Sequence, residues 1–159
     1  MNQSNRLVVF TLDEQRYALN LFAVERVVRI VEFVPLPKAP EIVLGVLNVQ
    51  GRIIPVVNIR KRFRLPEKEV DLNSHLIIAH TLRRDVGLVV DAVMGVFEYS
   101  EQEVITPEKI LPGIEYIEGV VRLGDGIILI HNLDTFLSLE EESTLDKVIE
   151  ERYKVRQGR

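Results

Sequence analysis

The chain has 159 residues, 47% of them hydrophobic and 28% charged, with a net charge of −4 at neutral pH and no cysteine. That is enough chain for one ordinary globular domain or two small lobes sharing a core, and it excludes disulfides and thiolate metal sites. The acidic balance argues against a general nucleic-acid binder.

No apolar run approaches the ~18 residues of a membrane span, and the polar opening MNQSNRLVVFTLDEQ lacks the apolar region of a signal peptide. The expected location is therefore cytoplasmic, with no direct membrane insertion. Short β-branched runs between turn signals predict an all-β fold with a few short helices. Residues 7–12 and 17–21 flank the turn residues Asp13, Glu14 and Gln15 and read as a hairpin. Residues 24–34, rich in Val and Ile, read as one bent strand that Pro35, Pro37 and Pro40 terminate. Residues 41–49 read as a short turn running into a strand, followed by a tight turn at Gln50 and Gly51, where glycine supplies the positive φ. Residues 52–57 form the next strand, in which Pro55 demands an edge or a bulge. Asn58 then caps a helical segment over 59–63.

After a polar connection over 67–74 the order repeats. Residues 76–82 and 86–90 form a hairpin across Arg83, Arg84 and Asp85, and residues 98–112 form a variable link. A turn at Gly124, Asp125 and Gly126 precedes a strand over 127–131, and Asn132 caps a segment over 133–137. In the tail, Ser143 or Thr144 can cap an amphipathic helix whose apolar side carries Leu145, Val148, Ile149, the stem of Arg152, and Tyr153. Such a helix docks on its own domain or serves a partner.

The second half is a degraded copy of the first. GVLNVQGRIIPVVNIRKRF at 45–63 matches GVVRLGDGIILIHNLDTFL at 119–137, with identities at Gly45/Gly119, Val46/Val120, Ile53/Ile127, Ile54/Ile128 and Asn58/Asn132. A second offset pairs Leu7 with Leu76, Ala18 with Gly87, Leu19 with Leu88 and Val24 with Val93. Two self-similar units predict two lobes related by a pseudo-two-fold, with a groove between them.

Catalytic signatures are missing. No HExxH, CxxC, GxSxG or P-loop pattern occurs. His75 and His80, five apart in a strand, point to opposite faces, and His131 reads as a strand-end residue. Glu140, Glu141 and Glu142 read as a solvated run; a carboxylate pair assembled by the fold stays open. Arg60, Lys61, Arg62 and Arg64 read as the solvated face of a short helix, ahead of a docking patch for an acidic partner.

The segment 45–63 resembles the signature of the chemotaxis coupling family, the CheW-like domains, whose usual form is G-x-x-N-L-R-G-x-x-x-P-x-x-D-L-R-x-x-F. Gly45, Asn48, Gly51, Pro55, Arg60 and Phe63 match, and VVFTLDEQRYALNLFAVERV and DVGLVVDAVMGVF extend the likeness over residues 7–137. The resemblance implies two intertwined SH3-like five-stranded barrels, roughly 7–66 and 76–137, in one domain over 1–139, with 140–159 as a charged tail helix. It implies a non-enzymatic adaptor without cofactor, gripping the tip of a chemoreceptor's cytoplasmic helical hairpin and the regulatory domain of a chemotaxis histidine kinase. It places the receptor groove at Val8, Leu21, Val24, Arg26, Val27, Val90 and Val93, and coupling contacts at the signature turn, Asn48, Gln50 and Gly51.

Three positions depart from the family pattern: Gln50 replaces its Arg, Asn58 its Asp, and Arg26 stands where many relatives carry an acid. The other readings are an SH3-like peptide- or helix-binding module of another signalling or motility system and, more distantly, a nucleic-acid-binding small barrel.

Overall fold

A computed structural model describes residues 5–105, 116–124 and 126–154. Asp125 and residues 106–112 of the 98–112 link, with Pro107 and Pro112, lie outside them. Among the described residues, eleven strands run in order: β1 (Arg6–Leu12), β2 (Gln15–Asn20), β3 (Val24–Arg29), β4 (Val43–Val49), β5 (Arg52–Val57), β6 (His75–His80), β7 (Asp85–Val90), β8 (Ala92–Glu98), β9 (Val104–Ile105), β10 (Ile117–Leu123) and β11 (Gly126–His131). Helix α1 (Ile59–Arg62) follows β5, and α2 (Leu139–Ile149) with a π-helical extension over Glu150–Lys154 ends the described chain.

Two sheets form, in the orders β8-β1-β2-β11-β10-β9 and β3-β6-β7-β5-β4. The repeat equates β1, β2, β3, β4 and β5 with β6, β7, β8, β10 and β11, so both sheets have one topology with hairpins exchanged. Hairpin β1–β2 sits in the sheet of the second copy, and hairpin β6–β7 in that of the first. Register repeats as well. Val24 pairs with Ala79 as Val93 pairs with Phe10, and the parallel contact Val56 with Gly87 recurs as Ile130 with Ala18. Bulges recur too, between Val43 and Gly45 and between Ile117 and Gly119. The fold is thus all-β with short helices, in two intertwined lobes.

Each lobe has its own core, Leu7, Val9, Ala18, Val121, Ile128 and Ile130 in one and Leu47, Ile54, Val56, Leu76 and Ile78 in the other. A third, larger core lies between them and takes Phe10, Leu12, Leu19, Ile77, Leu88 and Leu145. Strand β1 feeds two cores, Leu7 and Val9 one and Phe10 and Leu12 the other, which is why its sequence is a continuous apolar run.

Several expectations need correction. The strand from Val24 ends at Arg29; Val34 returns only as a single bridge to Val46, with amide–carbonyl distances of 2.9 and 2.8 Å. Pro55 lies in an interior strand without a bulge, but β7 pairs only with Val56 and Val57, so no neighbour needs the missing donor. The second hairpin turns over Thr81, Leu82, Arg83 and Arg84, with Asp85 already in β7. The tail helix starts earlier than Ser143: Ser138 is its N-cap, in a capping box with Glu141 (Glu141 N to Ser138 Oγ 3.1 Å, Ser138 N to Glu141 Oε1 2.9 Å).

Glu140, Glu141 and Glu142 are accordingly the first helical turn, where negative charge meets the positive end of the dipole. They are not all solvated. Glu142 is buried and takes Arg84 at 2.6 Å, and Glu141 takes Arg62 at 2.7 Å. The helix packs on its own body through fully buried Leu145, a contact of about 2–3 kcal/mol. The two asparagine caps are present, Asn58 Oδ1 accepting from Lys61 N at 3.2 Å and Asn132 Oδ1 from Asp134 N at 3.1 Å.

Candidate partner-binding surface

The signature hairpin β4–β5 closes on two residues in the left-handed region, Gln50 (φ 54°) and Gly51 (φ 88°), the pattern of a primed hairpin turn whose twist matches the strands. Asn48 fixes it by accepting the Gly51 amide at 2.8 Å. All three side chains or backbones are exposed, so the signature turn faces solvent. Glycine is required at 51 by its φ alone, since an added Cβ would meet nothing within 4 Å.

Next to the turn, Arg52 organises a charged rim. Its guanidinium donates to Glu25 of β3 at 3.0 and 3.2 Å and to Asp85 at the start of β7. Arg26 donates to the same Glu25 at 3.2 Å, and His80 Nδ1 lies 2.6 Å from Asp85. The hydrogen bond from Arg52 holds the Glu25 carboxyl below its ordinary range. Glu25, His80 and Asp85 bring ligand atoms within 4.8 Å of one another, close enough to hold a metal ion. Arg52, however, already spans both carboxylates, so their charge is compensated by the chain itself.

Arg60 is no solvated helix face. It is buried, donates to Asp13 at 2.9 and 3.0 Å, to Asp91 at 2.8 and 3.0 Å, and to the Pro66 carbonyl at 3.0 Å. Its hydrogen bond lowers the Asp13 carboxyl. Burial of Asp91 works against ionisation, but bonds from the Asp13 amide and Arg60 outweigh it. The fold thus assembles two carboxylate pairs, Asp13/Asp91 and Glu25/Asp85, and clamps each with an arginine, leaving neither as a free acid–base pair.

The groove candidates fall into three environments. Val8 and Val90 are buried, at 4% and 1% exposure, Val8 between β2 and β8 and Val90 in the shared core. Leu21, Val24 and Val93 are half-buried; Val24 and Val93, equivalent in the two copies, both pack on the shared core. Arg26 and Val27 are exposed on β3, an edge strand. Leu21, Val24, Arg26 and Val27 form one run, and the Glu25–Arg52 pair joins that run to the signature turn. Sequence reasoning missed this pair. The signal was the Glu–Arg dipeptide at 25–26 and an arginine displaced two places beyond Gln50, but strand pairing alone does not bring β3 beside β5.

The CheW-like domain profile matches residues 6–141. The chain is 34% identical over 142 residues to the chemotaxis protein CheW of Thermotoga maritima, covering 89% of this chain and 85% of that protein. It is 30% identical to that of Treponema pallidum, covering 86% and 84%. The crystal structure of the scaffolding protein TtCheW from Thermoanaerobacter tengcongensis matches with a TM-score of 0.79 at 32% identity, over 87% of this chain and 95% of that one. The exchanged hairpins, the signature turn on their rim and the near full-length likeness to these proteins agree: this chain belongs to the CheW-like domain family of chemotaxis scaffold proteins.

Proposed function

We propose that the chain is a cytoplasmic, non-enzymatic adaptor that couples chemoreceptors to a chemotaxis-type histidine kinase, without a cofactor. The receptor's helical hairpin tip lies along Leu21, Val24, Arg26, Val27 and Val93, with Val8 and Val90 supporting them from behind. The signature turn, Asn48, Gln50 and Gly51, meets the regulatory domain of the kinase. The observation that carries the reading is the continuity of edge strand β3 with that turn through the Glu25–Arg52 pair, which makes one surface of two motifs distant in sequence. Half-exposed apolar positions flanked by charge are what a helix needs from a groove.

Calorimetry with a receptor hairpin-tip fragment and with the kinase regulatory domain from the same cell tests it. Val27→Glu is expected to weaken receptor-fragment binding at least tenfold, about 1.4 kcal/mol. Gln50→Arg restores the family's cation and is expected to tighten kinase-domain binding by about 1.5–3 kcal/mol at low salt, less at high salt. Absence of binding to both fragments would sink the proposal.

A further inference from the structure

The pseudo-two-fold relates two clefts at the edges of the shared core, and they are filled differently. In the first, the Arg60 side chain, 9% exposed, lies between Asp13 of the β1–β2 turn and Asp91 after β7. Here the chain supplies its own cation between the two acids, and the open cleft of about 670 Å³ beside them has Arg16 and Lys68 in its lining. At the equivalent positions of the second, Asp134 stands for Arg60, Leu82 for Asp13 and Phe22 for Asp91. This second cleft, about 480 Å³ between the two sheets, is open as well, with Leu19 and Leu133 among its lining residues. Phe22 and Leu82 form its lips, 70% and 91% exposed.

Two acids, Asp134 and Glu118, line this cleft; among the described residues no Lys or Arg lines it, and its His80 is bonded to Asp85. Asp134 Oδ1 accepts the Leu82 amide at 2.8 Å, and Glu118 accepts the Asn20 side-chain amide at 3.3 Å. Neither carboxylate has an ion pair among the described residues. An exposed Phe and Leu that line one cleft with two such acids are poorly suited to water alone.

We propose that this cleft docks a partner helix through an arginine that projects from the helix's apolar face. The first cleft shows that the same backbone frame accommodates a guanidinium between two acids. In the second, the cap position holds the acid, so the cation has to come from outside. Arginine fits better than lysine: its planar fork serves carboxylates, its weaker hydration eases burial, and its stem can lie along Leu82. The exposed Phe22 ring offers a cation–π face. A helix places a Leu and an Arg three or four positions apart on one side, matching lips and acids together. The occupant touches elements of both sheets, so it also reports on how the lobes sit together.

The test uses the full chain, labelled with ¹⁵N, titrated with a helical model peptide whose leucine face carries arginine, and with a twin carrying glutamate instead. The test does not depend on the receptor and kinase reading. The arginine peptide is expected to shift the amides of Asn20, Leu82 and Asn132 saturably, and the twin to leave them still. Glu118→Gln with Asp134→Asn, which keeps the acceptor for the Leu82 amide, is expected to weaken binding tenfold or more, and Phe22→Ala likewise. Equal binding of both peptides, shifts centred on another surface, no binding, or a smaller loss in either variant would overturn the proposal.

Discussion

The two halves of this molecule share strand order, register and bulges, yet differ at the positions where a side chain meets something specific. Arg60 is clamped by two acids and its counterpart Asp134 is exposed. Buried Val57 has buried His131 as its counterpart. Gly45 sits against a neighbouring backbone while Gly119 has room, and Gln50 holds the left-handed turn position that Gly124 holds in the copy. Topology tolerates this divergence because it rests on the repeated apolar pattern and the backbone ladder. The differences are where each half acquires its own stability and its own contacts.

The sharpest break in the comparison is at Arg60. Removing it leaves Asp13 and Asp91 facing each other across a part-buried space, so Arg60→Ala is expected to cost about 3 kcal/mol, the lower end for a broken buried pair because Asp13 is half-exposed. Asp134→Ala should cost under about 1 kcal/mol, since one bond to the exposed Leu82 amide is lost. Urea unfolding at pH 7 measures both. Equal losses would mean that the Arg60 network stabilises nothing the copy lacks.

His131 gives this second half a pH dependence that Val57 cannot give the first. Its ring is buried and stacked on Phe63 with centroids 4.2 Å apart. Burial lowers its pKa from 6.5 to about 4; the nearby Tyr116 carbonyl opposes only part of this and makes no hydrogen bond with the ring by geometry. The unfolded chain therefore binds a proton that the folded chain refuses. Its contribution is complete above pH 6.5 and is lost as pH falls toward 4, about 3 kcal/mol in all. The lowered carboxylates Asp13 and Glu141 add their loss only below their unfolded values near 4. Stability measured from pH 7 to 5 should fall in the wild type and stay flat in His131→Phe; parallel curves would refute the assignment.

Much of this was legible from residues alone. The apolar identities at two offsets imply duplication, and the Asn58 and Asn132 caps are local devices that a sequence displays directly. The motif around Gly51 pointed to the family. The charged residues were misread for a physical reason. Arg60, Arg62 and Glu142 look solvated in a linear string, but each is held by a partner 31 to 79 positions away: Asp91 and Asp13, Glu141, and Arg84. Long-range ion pairs leave no periodic trace. The start of α2 was legible and overlooked, because Ser138 followed three places later by Glu141 is a capping box in plain sequence.

Gly45 and Gly119 are identical in the repeat but not in need. A Cβ at Gly45 would lie 2.5 Å from the Val34 carbonyl oxygen, breaking the bridge that covers the edge of β4. Gly45→Ala is expected to cost about 2 kcal/mol through overpacking. At Gly119 the nearest atom is a flexible Ile130 methyl at 3.9 Å, so Gly119→Ala should be neutral, or stabilising by about 0.5 kcal/mol because glycine weakens a strand interior. Thermal melts of the pair decide whether the shared glycine is a relic in one half.

The smallest effect separates turn from contact at position 50. Gln50 adopts φ 54°, a region that L-residues other than Asn and Asp enter at a cost, and it precedes Gly51 in a turn for which Asn-Gly is the favoured pair. Gln50→Asn is therefore expected to stabilise the free chain by about 0.5 kcal/mol, while its counterpart Gly124, already suited to φ 61°, offers no such gain. The substitution adds no charge, so it should leave the salt dependence of partner binding unchanged, unlike Gln50→Arg. A melt and a two-salt titration on the Asn variant suffice. If stability rises and salt sensitivity also changes, position 50 acts on its partner through turn geometry, and the charge argument for its divergence fails.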